Sequence, residues 1–339
     1  MTAPDHRRRD GVCYARDDTG QLLPVIDVTH DAFALQQTDD ELAALTAEFR
    51  RQHARLQRQP RWLRRLIYWL FLRKSEFIRN LRGRGGTFLD GMSTYRMKLP
   101  AALLDPARVP AIDRKLAAAA PFVLLRLRVQ DTARFIADDL APRLAAHLSQ
   151  PLHLVNIAGG PTMDSFNALL LLRRRDPALL RNRPVRILLF DQDEAGPAFA
   201  ARALAALQEP GAPLAGVDVT LSHICYNWDD VAVLRRHLVS LPPGAIVAAS
   251  SEGGLFNYAN DDVVRAQLDA LRETLPPDAG VIGSLSPPES LADNVPAGER
   301  VALHVRALEP FRALVRTAGW RVDRSVERGA HTVFLLQRA

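Results

Sequence analysis

Among its 339 residues this chain has only two cysteines, Cys13 and Cys225. That is too few for a disulfide framework or a cysteine-built zinc site, and it fits a reducing cytoplasm, the expected compartment. No apolar run approaches the roughly 18 residues of a membrane span. The opening stretch MTAPDHRRRDG carries charge but no apolar h-region, so it does not read as a secretory signal. No Gly-Lys-Ser/Thr occurs, which excludes a P-loop, and no internal repeat or low-complexity segment stands out. Nine histidines are spread too thinly to form a two-His site with a carboxylate, so no metal is expected.

What is present is ordinary globular composition, with 47% apolar residues and enough chain for one large domain or two modest ones. The net charge is +6, carried mostly by arginines scattered among acids. Abundant Arg, Ala and Leu also match a high-GC bacterial coding bias, so a nucleic-acid partner is not the expectation.

Residues 1–30 carry turn formers and one short apolar segment, Leu22–Val28. From Thr38 the sequence reads as a helix. Thr38 is an N-cap with Glu41 three residues on, acids lead, bases trail, and Pro60 stops it. The next stretch sets Trp62, Leu63, Leu66, Ile67, Trp69, Leu70 and Phe71 against an arginine-rich face. It reads as a lid helix packed on the rest of the protein, or as a membrane-surface helix through residues 61–74. The first is the expectation; the same apolar face could also pair two subunits. Gly83, Gly85 and Gly86 break the helix, and a hydroxyl- and aromatic-rich connector that includes Tyr95 follows. Helices are then expected over Ile112–Ala119 and Asp131–Leu148.

From Leu152 the pattern changes to strands alternating with helices. Leu152, Leu154, Val155 and Ile157 form a buried strand, and Ala158, Gly159, Gly160 and Pro161 make a tight turn. Asp164 and Ser165 are expected to cap the helix that follows, to about Arg175. Strand, glycine turn and helix start make a cradle where small side chains let a ligand approach the backbone. Further strands are expected at Val185–Phe190, Val217–Tyr226, Ala245–Ala249, Gly280–Leu285, Trp320–Glu327 and Thr332–Gln337. Helices separate all but the last two, whose connection is only long enough for a hairpin, so one of these must run antiparallel. A parallel, doubly wound sheet with ligands at the carboxyl ends of its strands follows. The turn lacks the Gly-x-Gly-x-x-Gly of a dinucleotide fold, because Pro161 and Thr162 follow Gly160 and no third glycine comes after.

Five stations in this order resemble the class I S-adenosylmethionine-dependent methyltransferases: VNIAGGP, LLFDQD, YNWDD, SSEGG and the AGW-hairpin ending. The resemblance covers about Pro151 to the C-terminus. It implies a seven-stranded methyltransferase-type α/β sheet with an antiparallel C-terminal hairpin over residues 151–339; the mainly helical residues 1–150 before it read as a lid and substrate region. It also implies S-adenosylmethionine as cofactor. The amino-acid end of the cofactor would meet Asn156, Ala158, Gly159, Gly160, Pro161, Asp164 and Ser165. Asp191, with Gln192 and Asp193, would take the ribose hydroxyls. Asn227, Trp228 and Asp229 would flank the adenine, and Ser250 and Ser251 would lie where the methyl group projects.

The sequence departs from the family where an acid is usual at Asn156 and glycines at Ala158 and Thr162. Candidate bases near the strand ends are Tyr95, Tyr226 and Glu252, while His223 reads as a packed strand residue. The leading expectation is methyl transfer to a small-molecule acceptor. The alternatives are a non-methylating use of the sulfonium, by cyclisation or aminobutyl transfer with release of methylthioadenosine, and a catalytically silent cofactor-binding protein. SSEGG stands where base-modifying methyltransferases carry Asn/Asp-Pro-Pro-aromatic, which counts against amine methylation of a base.

Overall fold

A computed structural model of the chain describes residues 8–77, 90–286, 303–329 and 331–339. The expected break at Gly83, Gly85 and Gly86 lies outside these residues. The sheet is built from strands β3 (Leu152–Ile157), β4 (Val185–Asp191), β5 (Val219–Cys225), β6 (Ile246–Ser251), β7 (Gly280–Leu285), β8 (Trp320–Glu327) and β9 (Thr332–Arg338). Their spatial order is β5-β4-β3-β6-β7-β9-β8. β3 to β7 are parallel, and β9 runs antiparallel to both of its neighbours. Every residue of β3, β6 and β7 is buried, as expected for strands covered on both faces. The chain leaves β3 toward β4 and β5, then returns to β6 on the other side. The switch point therefore falls between β3 and β6, where α/β sheets open a crevice.

Helices α6 (Met163–Arg175), α7 (Ala195–Gln208), α8 (Val231–Val239), α9 (Leu255–Tyr258), α10 (Asp261–Thr274) and α11 (Leu308–Thr317) join the strands. Before the sheet come the short hairpin β1 (Tyr14–Arg16) and β2 (Leu22–Pro24), then α1 (Asp39–Gln57), α2 (Arg61–Lys74), α3 (Gly91–Met97), α4 (Ala111–Ala117) and α5 (Ala120–Ala146). α1 begins in a complete capping box between Thr38 and Glu41. The glycine-punctuated connector contains α3, whose first turn is capped by Asp90 accepting from the Ser93 N–H at 2.7 Å.

Three expectations are corrected. α5 starts at Ala120, not Asp131, because Pro121 sits in the first turn, where a missing N–H loses no helical bond. β6 continues through Ser250 and Ser251, not ending at Ala249, and both residues are buried. On α2, Trp62, Leu66, Trp69 and Leu70 are exposed, where a packed lid helix would bury its apolar face. The core also crosses residue 150. One apolar cluster joins Ala15, Leu23, Tyr95, Val129 and Ile136 to Leu152, Phe166 and Leu335. α5 lies against the sheet as well as against α6.

Candidate active site

The glycine turn holds its shape without its usual glycines. Ala158 and Thr162 adopt left-handed φ values of 54° and 53°, and Gly160 lies at 53° between them. A side chain in that region costs about 1–2 kcal/mol, so the surrounding structure imposes the conformation. Thr162 is the N-cap of α6, yet its side chain makes no capping bond. Asp191 closes the turn from the neighbouring strand. Its Oδ2 accepts from the Gly160 N–H at 2.8 Å, and its Oδ1 accepts from the Asp193 N–H at 2.9 Å. Burial pushes the Asp191 carboxyl up from its ordinary range, against the pull of those two bonds.

Two neighbours fix how close anything can come. A Cβ on Gly160 would lie 2.9 Å from the Gly91 Cα, and a Cβ on Gly196 would lie 2.9 Å from the Gly160 backbone. The start of α3 therefore rests directly on the turn, backbone to backbone. Gly91 and Gly196 were not expected from the sequence, since nothing local to either one points to the turn.

Around the turn the predicted residues divide into two groups. On one side, Ala158, Gly159, Asp191, Asp193 and Trp228 are half-buried, and Gln192, Asn227 and Asp229 are exposed. They sit at the ends of β3, β4 and β5, so the residues expected to meet the ribose and adenine share one open edge. Trp228 packs half-buried against the second apolar cluster, and its carbonyl accepts from the Gln267 Nε2. His223 is exposed on β5, not packed, and its Nε2 donates to the Asp191 carbonyl at 2.9 Å.

On the other side, Asn156, Asp164, Ser165, Ser250 and Ser251 are buried beneath the turn. The Asn156 Nδ2 donates to the Asp164 Oδ1 at 2.7 Å, to the Ser165 Oγ at 3.1 Å and to the Ser250 Oγ at 3.3 Å. The Ser250 Oγ donates to the Asp164 Oδ2 at 2.8 Å, and the Ser251 Oγ accepts from the Leu255 N–H. Asp164 and Ser165 thus do not cap α6, as the sequence had suggested. Their side chains turn inward to Asn156. Burial, then the nearby Glu252 charge, pushes the Asp164 carboxyl above its ordinary value. Asn156 lacks the acid usual at its position, yet Asp164 brings a carboxylate to its side.

The three candidate bases are all engaged elsewhere. Glu252 is buried between the Lys98 Nζ and the Arg128 Nε, each at 2.5 Å. Burial alone would raise its carboxyl, but Arg128 and Lys98 outweigh burial and hold it below the ordinary value. An ion so paired is a poor proton acceptor. Tyr95 donates to the Pro24 carbonyl and is driven well above the usual tyrosine range by burial. Tyr226 donates to the Gln267 Oε1 at 2.8 Å, and burial pushes it up to about 12. All three candidates thus have protein partners in this structure. Lys98 and Arg128, which lock Glu252, had no sequence signal, because they come from α3's C-terminal end and from α5. Among the described residues no group of three or more His, Cys, Asp or Glu side chains is placed to hold a metal ion.

Three buried polar atoms around the turn have no hydrogen-bond partner: Asn156 Oδ1, Thr162 Oγ1 and Asp193 Oδ2. Such groups are few in folded proteins and call for an explanation each time. Two of them are pure acceptors, so this part of the protein is short of donors.

No family model matches the sequence, and no curated protein matches it. Solved structures do. A protein of Bordetella parapertussis, described as a possible exported protein, is 20% identical with a TM-score of 0.55, over 89% of this chain and 98% of that one. The N,N-8-amino-8-demethyl-D-riboflavin dimethyltransferase RosA of Streptomyces davawensis is 16% identical with a TM-score of 0.39, over 78% of this chain and 70% of its own. The mitomycin 7-O-methyltransferase MmcR is 17% identical with a TM-score of 0.39, over 90% of this chain and 74% of its own. Among the described residues no helix is long and apolar enough to cross a membrane. With its strand order, its switch point between β3 and β6 and its antiparallel β9, the chain has a doubly wound seven-stranded α/β sheet of methyltransferase type with an antiparallel C-terminal hairpin.

Proposed function

We propose that the protein binds S-adenosylmethionine in the crevice beside the glycine turn and transfers its methyl group to a small-molecule acceptor. The shortage of donors carries this reading. The Asp193 Oδ2 is a buried acceptor without a partner, and the Asp191 carboxylate has used only two of its roughly four lone-pair sites. The cofactor's ribose hydroxyls are donors, so the residues present fit it. When bound, this cofactor supplies a methyl group activated by its sulfonium.

The chain's own residues then have distinct tasks. Asp191 accepts from the ribose hydroxyls while it holds the turn. Asn227 and Asp229 offer acceptors to the exocyclic amine, and Trp228 lends a ring face. The part of the chain before residue 150, seated on the turn through Gly91, covers the crevice and shapes the acceptor site. Since Tyr95, Tyr226 and Glu252 are engaged, the acceptor reaches the site already nucleophilic, and the protein contributes proximity and alignment.

Those same three engaged side chains favour one second reading, a protein that binds the cofactor without transferring the methyl group. Calorimetry with S-adenosylmethionine, followed by mass spectrometry, separates the two. Saturable binding is expected, weakened about ten- to hundred-fold by Asp191→Ala, the worth of one or two charge-assisted hydrogen bonds. S-adenosylhomocysteine on incubation with candidate acceptors supports methyl transfer. Methylthioadenosine without an acceptor points to cyclisation instead, and binding with neither product to the silent reading. No binding at millimolar cofactor rejects the proposal.

A further inference from the structure

α2 is a helix with charge of one sign and an exposed apolar stripe. Trp62, Leu66, Trp69 and Leu70 are 67%, 44%, 48% and 42% exposed. Their spacing of four, three and one places them on one face. Elsewhere tryptophan is treated differently: Trp320 is fully buried and Trp228 half-buried. Leu56, near the end of α1, is the nearest other exposed leucine.

The charge around this stripe is concentrated. Residues 50–74 contain nine Arg and Lys and no Asp or Glu, whereas the whole chain has a net charge of +6. Everything outside that segment therefore sums to a net negative charge. The positive character of the protein resides at α2 and the end of α1, where Arg51, Arg55, Arg58 and Lys74 are exposed.

We infer that α2 is a docking helix for the surface of an anionic lipid bilayer. At 14 residues it spans about 21 Å, and it carries five cations, so it lies in the interface and does not cross it. Tryptophans and leucines on one face suit the boundary between headgroups and acyl chains, and flanking cations draw the helix to acidic lipid. The other occupants fit less well. A second copy would bring an equally basic segment against this one, with no acid in either to offset it. A nucleic acid would pair with the arginines but leave Leu66 and Leu70 against a phosphate backbone. The sequence pattern alone had favoured a packed lid helix; exposure of the stripe reverses that order. This inference is independent of the cofactor reading.

Co-sedimentation of the full-length protein with vesicles tests it, with intrinsic tryptophan fluorescence as a second readout. The expected result is binding to phosphatidylcholine vesicles containing about a third phosphatidylglycerol, at least about tenfold tighter than to phosphatidylcholine alone and weakened by added salt. Emission should shift to the blue as Trp62 and Trp69 leave water. Trp62→Ser/Trp69→Ser should lose binding and the blue shift while keeping the wild-type melting temperature. If that pair fails to fold, Arg55→Glu/Arg58→Glu/Lys74→Glu should lose the preference for acidic lipid. No binding to acidic vesicles, or equal binding by both variants, overturns the inference. So does self-association that the tryptophan substitutions abolish, which would identify a second copy as the occupant. Tighter binding to a nucleic acid than to vesicles, with the same salt dependence, overturns it as well.

Discussion

The two sides of the glycine turn use the same residue types for opposite ends. On the open side, Asp191 is held by backbone N–H groups and keeps unused acceptor sites, while Asn227 and Asp229 stand in solvent. On the buried side, Asn156, Asp164 and Ser250 spend their hydrogen bonds on one another, and Glu252 spends its charge on Lys98 and Arg128. The unused acceptors of Asp191 belong to a carboxylate held by backbone N–H groups. The proposed function assigns binding to the open side. The buried side ties the segment before residue 150 to the sheet.

The sharpest break of this comparison is Glu252→Gln. It leaves Lys98 and Arg128 buried with no carboxylate between them, and removing one partner of such a cluster typically costs about 3–5 kcal/mol. Chemical denaturation should show a loss of that size. A change below about 1 kcal/mol would mean that the cluster is solvated, and that the buried side does not hold the two parts together. Low pH should act in the same direction. Glu252 has a folded value below its unfolded one, so its contribution is complete above the ordinary glutamate value. It is lost as pH falls through the depressed folded value.

A smaller effect is expected from Gly91→Ala, which tests the contact between the cover and the turn. The added Cβ would meet the Gly160 Cα at 2.9 Å and the Pro161 Cδ at 3.3 Å. One is main chain and the other a ring atom closed onto the Pro161 backbone nitrogen, so neither can swing aside and α3 must shift. A stability loss of about 1–3 kcal/mol is expected, as for overpacking of a filled site. Cofactor affinity measured by calorimetry should fall with it. Lost stability with unchanged affinity would separate the cover from the binding edge.

How much of this was legible in the sequence follows the same division. β7 and β8 have the bounds read from the pattern, Gly280–Leu285 and Trp320–Glu327, because continuous or alternating apolar runs between turn residues report burial directly. The turn and Asp191 were legible because their signals are local: small residues after a strand, and an acid at a strand end. Asp164 and Ser165 were misread because Asp and Ser at a helix start are also the usual caps, and only the fold reveals that they turn toward Asn156. Glu252 was misread for a related reason. Its partners lie 154 and 124 residues away, and no periodicity encodes a pairing at that distance. Asp193 is intermediate. Its Oδ1 accepts only a long 3.3 Å bond from the Ala195 N–H, and its other oxygen waits for a donor that the chain does not supply.

The smallest expected effect sharpens the comparison from within the buried side. Asp164 and Glu252 are both buried acids, yet their values move in opposite directions. Glu252 is held down by two cations, while Asp164 is pushed up by burial and by Glu252 itself. An acid whose folded value is raised binds more protons when folded than when unfolded. It therefore favours the folded state at low pH, and that contribution is lost as pH rises from the unfolded value of 3.8 through the raised folded one. Asp164 thus opposes the gain that Glu252 provides over neighbouring pH values. Asp164→Asn keeps an acceptor for the Ser250 hydroxyl and removes the opposing titration, so stability should climb more steeply between acid and neutral pH than in the wild type. Denaturation midpoints measured across that range would show it. An unchanged slope would mean that Asp164 keeps its ordinary value, and that the buried side takes up a second negative charge without penalty.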